Sequence, residues 1–202
     1  MGGGRFDTKV YQQKAATYVK QDKAELFKQS EIFNNFIPLN ITTRESCASK
    51  EHPDPTSIII ACDVTGSMGK IPVNLLKGGL GNIMESLMKI KSISNPQVMF
   101  AAIGDADHDK APLQVTQFES DNRIEEQLKK LYLEGGGGGN NIESYHAIWY
   151  FAAYKTRLDS LKQGKKGILF TMGDEMVSPT LKADHIRKFI DNKYAVLYHY
   201  LN

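Results

Sequence analysis

The sequence predicts an α/β fold, a doubly wound, mostly parallel sheet with helices on both faces and a helical N-terminal extension. Three apolar runs carry the prediction: Ser57-Ile58-Ile59-Ile60-Ala61-Cys62, Val98-Met99-Phe100-Ala101-Ala102-Ile103 and Gly167-Ile168-Leu169-Phe170-Thr171. None alternates with polar residues, so each reads as a strand buried on both sides, which is the habit of parallel sheets. The segments between them have helical spacing, and strand–helix alternation implies crossover connections.

The elements follow in order. Residues 8–30 are rich in Lys and Gln, and Val10, Tyr11, Ala15, Tyr18, Val19, Leu26 and Phe27 are spaced for one or two amphipathic helices. Leu39-Asn40-Ile41-Thr42 follows Pro38 and reads as a short edge strand, and His52-Pro53-Asp54-Pro55 as a rigid turn. Residues 1–55 therefore form an extension packed on or capping a core domain of residues 56–202. Within that domain the first strand is 57–63. A helix over about 70–91 carries Leu76, Leu80, Ile83, Leu87 and Ile90 on one face. Gly78, Gly79 and Gly81 weaken its middle, as a close approach of helix to sheet would require. After the second strand, Gln114-Val115-Thr116-Gln117-Phe118 alternates and reads as an exposed edge strand. Helices are expected at 121–133, on Ile124, Leu128 and Leu131, and at 142–158, which is aromatic and Ala-rich. The strand at 167–171, a helix from Ser178 or Pro179 to about Asp191, and a final strand from Tyr194 to Leu201 complete the pattern.

Composition narrows the function. With 202 residues, 41% hydrophobic and 24% charged, the chain has the make-up of a globular protein with a sizeable core. The net charge of +2 comes without a Lys/Arg stripe, so a nucleic-acid partner is not expected. No apolar stretch approaches the ~20 residues that span a bilayer, and no secretory h-region opens the chain, so no membrane association is expected. Gly2 invites comparison with a myristoylation signal, but Phe6 stands where that signal has Ser or Thr. Of the two cysteines, Cys62 lies inside an apolar run. A buried free thiol and no disulfide framework suit a reducing compartment, so the expected location is cytoplasmic.

Ligands of parallel sheets bind outside the carboxyl ends of the strands. Three polar clusters fall at such ends: Asp63–Ser67, Asp105–Asp109 and Gly173-Asp174-Glu175. Asp63, Thr65 and Ser67 alternate where the first strand ends and the chain turns. One carboxylate and two hydroxyls are hard-oxygen ligands for a cation such as Mg²⁺, which keeps several waters and leaves a position open. The same residues also fit a helix N-cap. The glycine run Gly135–Gly139 with Asn140 and Asn141 lacks the phosphate-cradling pattern, which ends in Gly-Lys-Ser/Thr.

Asp63-Val64-Thr65-Gly66-Ser67-Met68 resembles the first motif, Asp-x-Ser/Thr-x-Ser, of the metal-ion-dependent adhesion site in von Willebrand factor type A domains. The strand–helix order, the glycine loop and the strand ending at Thr171 extend the resemblance over about residues 55–202. It implies a Rossmann-like fold and a Mg²⁺ or Mn²⁺ ion. In the family a second loop supplies a threonine. Here Asn140 or Asn141 occupies that region, an amide carbonyl of Asn141 can ligate the ion, and Glu143 and Ser144 are further candidates. The family's third motif is Thr-Asp-Gly. Here Met172 stands at the aspartate's place, and Asp174 can take over if the loop bends back. From the acidic loop, Asp105 is the first choice to compensate. The family also adds a helix, a strand and a helix beyond the point matched by Asn202, so either the chain is a fragment or its first 55 residues fill that space.

The resemblance implies a non-enzymatic, metal-dependent module whose cation, held by Asp63, Thr65, Ser67, Asn141, Asp174 and Asp105, recruits an Asp or Glu of a partner protein such as an ATPase or a complex-assembly factor. Two alternatives remain. Asp63 as nucleophile and Asp105 as metal ligand would suit a metal-dependent phosphoester hydrolase, although Thr65 stands where such enzymes place a second acid. A scaffold that has lost its metal through Met172 is the other.

Overall fold

The computed structural model describes residues 4–135 and 142–193, with the side chain of Ser67 outside the description. In the extension, α1 (Thr8–Tyr18) starts on an Asp7 side chain that accepts from the Val10 amide, and α2 (Lys23–Leu26) starts on a capping box between Asp22 and Glu25. The Lys/Gln-rich segment predicts one or two amphipathic helices, and two helices form, with Tyr11, Ala15, Tyr18 and Leu26 buried and Val10 and Val19 exposed. The strand expected at 39–42 is instead a 3₁₀ turn, Pro38–Asn40, because proline sets the backbone angle of a helical first position. The short strand forms just beyond it, β1 (Arg44–Ser46).

The core sheet begins with β2 (Thr56–Asp63), buried along its whole length. A 3₁₀ turn over Gly66–Gly69 leads into α3 (Lys70–Asn74), a π turn over Leu75–Gly79 and α4 (Leu80–Lys89). The predicted helix therefore exists but is kinked at Gly78, whose φ of 140° is outside the helical range. Leu76 and Leu80 are fully buried on it, whereas Ile90 lies past its end and is exposed. Gly81 serves a helix and not the sheet. A Cβ on Gly81 would sit 2.9 Å from the Tyr11 ring of α1, and the Tyr11 hydroxyl donates to the carbonyl of Leu75 at 2.5 Å, inside the π turn.

Next come β3 (Pro96–Ile103), β4 (Leu113–Val115) and α5 (Arg123–Leu128). β4 is an edge strand, as its position predicts, but it is buried and not exposed. Gln114 explains this: its amide donates to the carbonyl of Tyr132 and accepts from the amide of Tyr132, so a loop covers the strand. The helix expected from residue 142 begins later. Ile142–Glu143 is a two-residue strand, β5, and α6 (His146–Tyr154) follows. Then come β6 (Thr156–Leu158), α7 (Asp159–Lys162), β7 (Ile168–Met172), β8 (Met176–Val177), α8 (Ala183–His185) and a π turn over Ile186–Ile190. The strand expected from Tyr194 to Leu201 lies outside the described residues.

The molecule is mixed α/β with mostly parallel strands. The four-stranded sheet has the order β4-β3-β2-β7, in which β2 pairs in parallel with β3 and β7 and only β4 is antiparallel. β1 pairs in parallel with β6, and β5 with β8. Successive residues of a strand face opposite ways, and both faces of β2 and β3 are covered; β7, expected to be buried on both sides, is only part-buried, with Phe170 48% exposed. Ile58, Ile60 and Cys62 point into one core with Tyr11, Leu80, Met84, Ile124 and Leu128. Ile59 and Ala61 point into the other with Ala147, Ile148, Phe151 and Ile190. Tyr11, Tyr18, Leu26 and Phe36 of the extension belong to the first core, so the described part of the extension shares the core of the rest. Among the described residues no helix is long and apolar enough to cross a membrane.

Candidate functional site

The carboxyl ends of β2, β3 and β7 lie side by side, and the site is built where they stop. Asp63 pairs in register with Ile103, and Cys62 with Met172, so the loops after all three strands leave from one rim. The loops are tied together. Ser144 donates its amide to the carbonyl of Gly104 at 3.3 Å, and its hydroxyl accepts from the amide of Ala106 at 2.9 Å. Glu143 is paired with Val177, and its carbonyl accepts from the amide of Ser178. The segment after the glycine run is thereby clamped between the acidic loop and the loop after β7.

Asp63 is wholly buried. Its Oδ1 accepts from both the amide and the hydroxyl of Thr65 at 2.8 Å, while its Oδ2, also buried, has no hydrogen-bond partner among the described residues. The Thr65 hydroxyl is also 3.0 Å from Oε1 of Glu143. Glu143 is 3% exposed, and its Oε2 is likewise buried without a partner among the described residues. One hydroxyl hydrogen thus faces two carboxylates, and two carboxylate oxygens point nowhere. Buried acids in this state are costly unless a cation or a proton joins them.

The acidities agree with the geometry. Burial, then the charge of Asp63, pushes the Glu143 carboxyl up to about 8, against the hydrogen bond from Thr65. Asp63 is also raised, first by burial and then by the charges of Asp174 and Glu175, with the two Thr65 hydrogen bonds opposing. Tyr145 is pushed up to about 12 by burial and by Asp63. Its ring rests on the loop after β7 so closely that a Cβ on Gly173 would overlap its hydroxyl.

The sequence-predicted residues divide accordingly. Asp63 and Thr65 come together as expected. Ser67 lies in the Gly66–Gly69 turn, and Asn141 lies outside the described residues. Asp174 is exposed in the loop between β7 and β8 and reaches Asp63 through its charge. Asp105 is buried but engaged by its own loop: Oδ1 accepts from the amide of Asp107 at 2.9 Å, and Oδ2 is 2.5 Å from Nδ1 of His108. That contact raises His108. Glu143, a further candidate in the sequence, joins the Asp63–Thr65 pair by accepting from the Thr65 hydroxyl. Tyr145 was not foreseen, and its only sequence signal is a glycine at 173 facing it in space.

Among the described residues no three His, Cys, Asp or Glu side chains are placed to hold a metal. The donor set is two carboxylates and a hydroxyl, oxygen donors of the kind that suit Mg²⁺ or Mn²⁺. Comparison of the chain with protein-family models, curated proteins and solved structures returned no match.

Proposed function

We propose that the chain is a metal-dependent protein-binding module of the von Willebrand factor type A kind, with a Rossmann-like sheet and a variant adhesion-type site. One observation carries the reading: the unpartnered buried oxygens of Asp63 and Glu143, joined through Thr65 where the parallel strands end. A divalent cation at that point neutralises both acids and keeps Thr65 as a hydroxyl ligand. Glu143 takes the place that the family gives to an aspartate at Met172. The ion retains an open position on the rim, and an Asp or Glu of a partner protein, such as an ATPase or a complex-assembly factor, fills it. Asp63 is buried and its Oδ1 is held by the amide and hydroxyl of Thr65, which favours binding over attack by this carboxylate.

Calorimetric titration with Mg²⁺ and Mn²⁺ tests this. Wild type is expected to bind one ion and Asp63→Ala none. Equal heats from the two proteins would remove the metal. A second reading has an observation of its own. With Glu143 raised to about 8, a proton can close the Glu143–Thr65–Asp63 chain in place of the ion, as in a scaffold that has lost its metal. In that case saturating Mg²⁺ leaves the melting temperature unchanged.

A further inference from the structure

The two edges of the four-stranded sheet are finished differently. β4 is covered by the loop at Tyr132, whereas β7, among the described residues, has a strand only on its β2 side. An open edge offers unpaired backbone groups to another chain, and proteins usually blunt it with a lysine, a proline or a bulge. Ile168-Leu169-Phe170-Thr171-Met172 has none of these. Both faces beside the edge are apolar. On one, half-exposed Phe170 lines a groove of about 350 Å³ with Ile60, Ile83, Leu87 and Met172. On the other, half-exposed Trp149 donates its Nε1–H to the Thr171 hydroxyl at 3.2 Å and lines a second groove with Leu169. Exposed apolar surface of this kind, continuous around an unpaired strand, marks an interaction site.

The flanks of β7 decide what fits there. Counted outward from Phe170 the segment complements itself: Lys165-Lys166-Gly167 precede Ile168, and Gly173-Asp174-Glu175 follow Met172. In an antiparallel pair centred on Phe170, Ile168 stands opposite Met172, Gly167 opposite Gly173, Lys166 opposite Asp174 and Lys165 opposite Glu175. Opposite charges facing across two strands stabilise the pair, and like charges weaken it. A parallel pair in the same register sets lysine against lysine and acid against acid, and it lacks the twofold symmetry that closes a dimer. We infer that the open edge of β7 takes a second copy of this chain, β7 against β7, antiparallel about a twofold axis at Phe170 that joins two sheets into one. The axis is perpendicular to the sheet, so the two Phe170 rings share one face and the two Trp149 rings the other. The four charged residues are exposed. Lys165 is also held by Asp54, and Asp174 has an interaction within its own chain; the pairing adds a neighbour to each and needs neither to be free. No metal takes part in it.

Sedimentation equilibrium of the whole chain in EDTA tests this. Over about 1 to 300 μM the protein is expected to pass from monomer to dimer with a Kd on the order of 10 μM, as suits a small interface. Phe170→Lys sets two ammonium groups against each other at the axis while sparing the buried core, and should weaken the dimer at least about tenfold. Two double variants read the orientation at low salt. Lys165→Glu with Lys166→Glu, and Asp174→Lys with Glu175→Lys, each place like charges across the pair, and each alone should dimerise at least about tenfold more weakly than wild type. Mixed one to one they should form a mixed dimer about as tight as the wild-type one, because every facing pair is again of opposite charge, and the recovery should shrink as ionic strength rises. Recovery on mixing requires both variants to be folded, so a misfolded chain is not mistaken for a weakened interface. A monomer at every concentration, meaning that something else covers the edge, would overturn the pairing. So would a dimer indifferent to Phe170→Lys, or weakened double variants that do not recover when mixed.

Discussion

Glu143 meets Thr65 across 78 positions of sequence, and Tyr145 meets Gly173 across a loop. Neither contact has a local signal. Asp63 and Thr65 could be read in advance because both lie in one turn, where an extended alternation at a strand's end sets side chains on a common side. Glu143 could be ranked only as a further candidate because its position depends on β5 pairing with β8, a contact between residues far apart in the chain. Asp105 sits where the sequence places it, yet it faces its own loop, since a helix-like turn offers its oxygens the amide of Asp107 and the ring of His108 before any neighbour does. The residue that joins these parts is Gly173. Replacing it with alanine puts a methyl group into the Tyr145 hydroxyl, and either the ring or the loop carrying Asp174 has to move. Overpacking of this kind costs about 1–3 kcal/mol. Gly173→Ala is therefore expected to melt several degrees lower and to bind Mn²⁺ at least about tenfold more weakly. Unchanged melting and unchanged Mn²⁺ titration would mean that Tyr145 does not hold the loop.

At the scale of elements, the buried strands were the most legible. β2 and β3 are covered on both faces, so Ile58–Cys62 and Val98–Ile103 had to be apolar or small, and that shows in sequence without knowing what covers them. The helices were legible in their apolar faces and less so in their ends. The helix expected from residue 142 starts at His146, because Ile142 and Glu143 gain more from pairing with Met176 and Val177 than a first turn offers them. β4 looked exposed because Gln114 and Gln117 are polar; polarity was a poor guide where Gln114 is satisfied twice by the backbone of Tyr132. The glycines of the helix after β2 were legible as a close approach, but to the sheet, whereas Gly81 faces another helix. They admit α1: Gly81 leaves room for the Tyr11 ring, and the Gly78 kink accompanies a π turn whose Leu75 carbonyl takes the Tyr11 hydroxyl. Gly81→Ala brings a Cβ to 2.9 Å from that ring and is expected to cost about 1–3 kcal/mol, although alanine favours an isolated helix by up to about 1 kcal/mol. Urea unfolding of the variant checks the sign. Stabilisation would show that the extension gives way, and that α1 is held less firmly than its fully buried Tyr11 indicates.

For the molecule as a whole, the buried acids make stability a function of pH, and the direction can be worked out group by group. Glu143, Asp63, Asp109 and Glu119 are all raised, each chiefly by burial. A raised carboxyl binds its proton more tightly in the folded state than in the unfolded chain, so its contribution is present at low pH and is lost as pH climbs toward its folded value. For Glu143 that window runs from the ordinary 4.5 to about 8. Asp54, Asp107, Asp121 and Asp159 are lowered, the first two chiefly by Lys165 and Lys182 and the last chiefly by Lys162. Their contribution is present above the usual carboxylate range and fades only in acid. The two sets act in different windows. Between about pH 5 and 8 the raised acids set the slope together with His108, which Asp105 raises and which acts in the same direction; for one group the slope reaches at most about 1.4 kcal/mol per unit. The metal-free protein is therefore expected to unfold at a lower urea concentration at pH 8 than at pH 5.5. Glu143→Gln, which retains the shape and removes the titration, should reduce that slope, most clearly toward pH 8. A divalent ion bound at Asp63 and Glu143 supplies the positive charge that the proton otherwise gives, so saturating Mg²⁺ should raise the midpoint most at pH 8 and least at pH 5.5. A wild-type midpoint that rises with pH in EDTA, or a slope unchanged in Glu143→Gln, would show that the Glu143–Thr65–Asp63 chain is not the group that titrates.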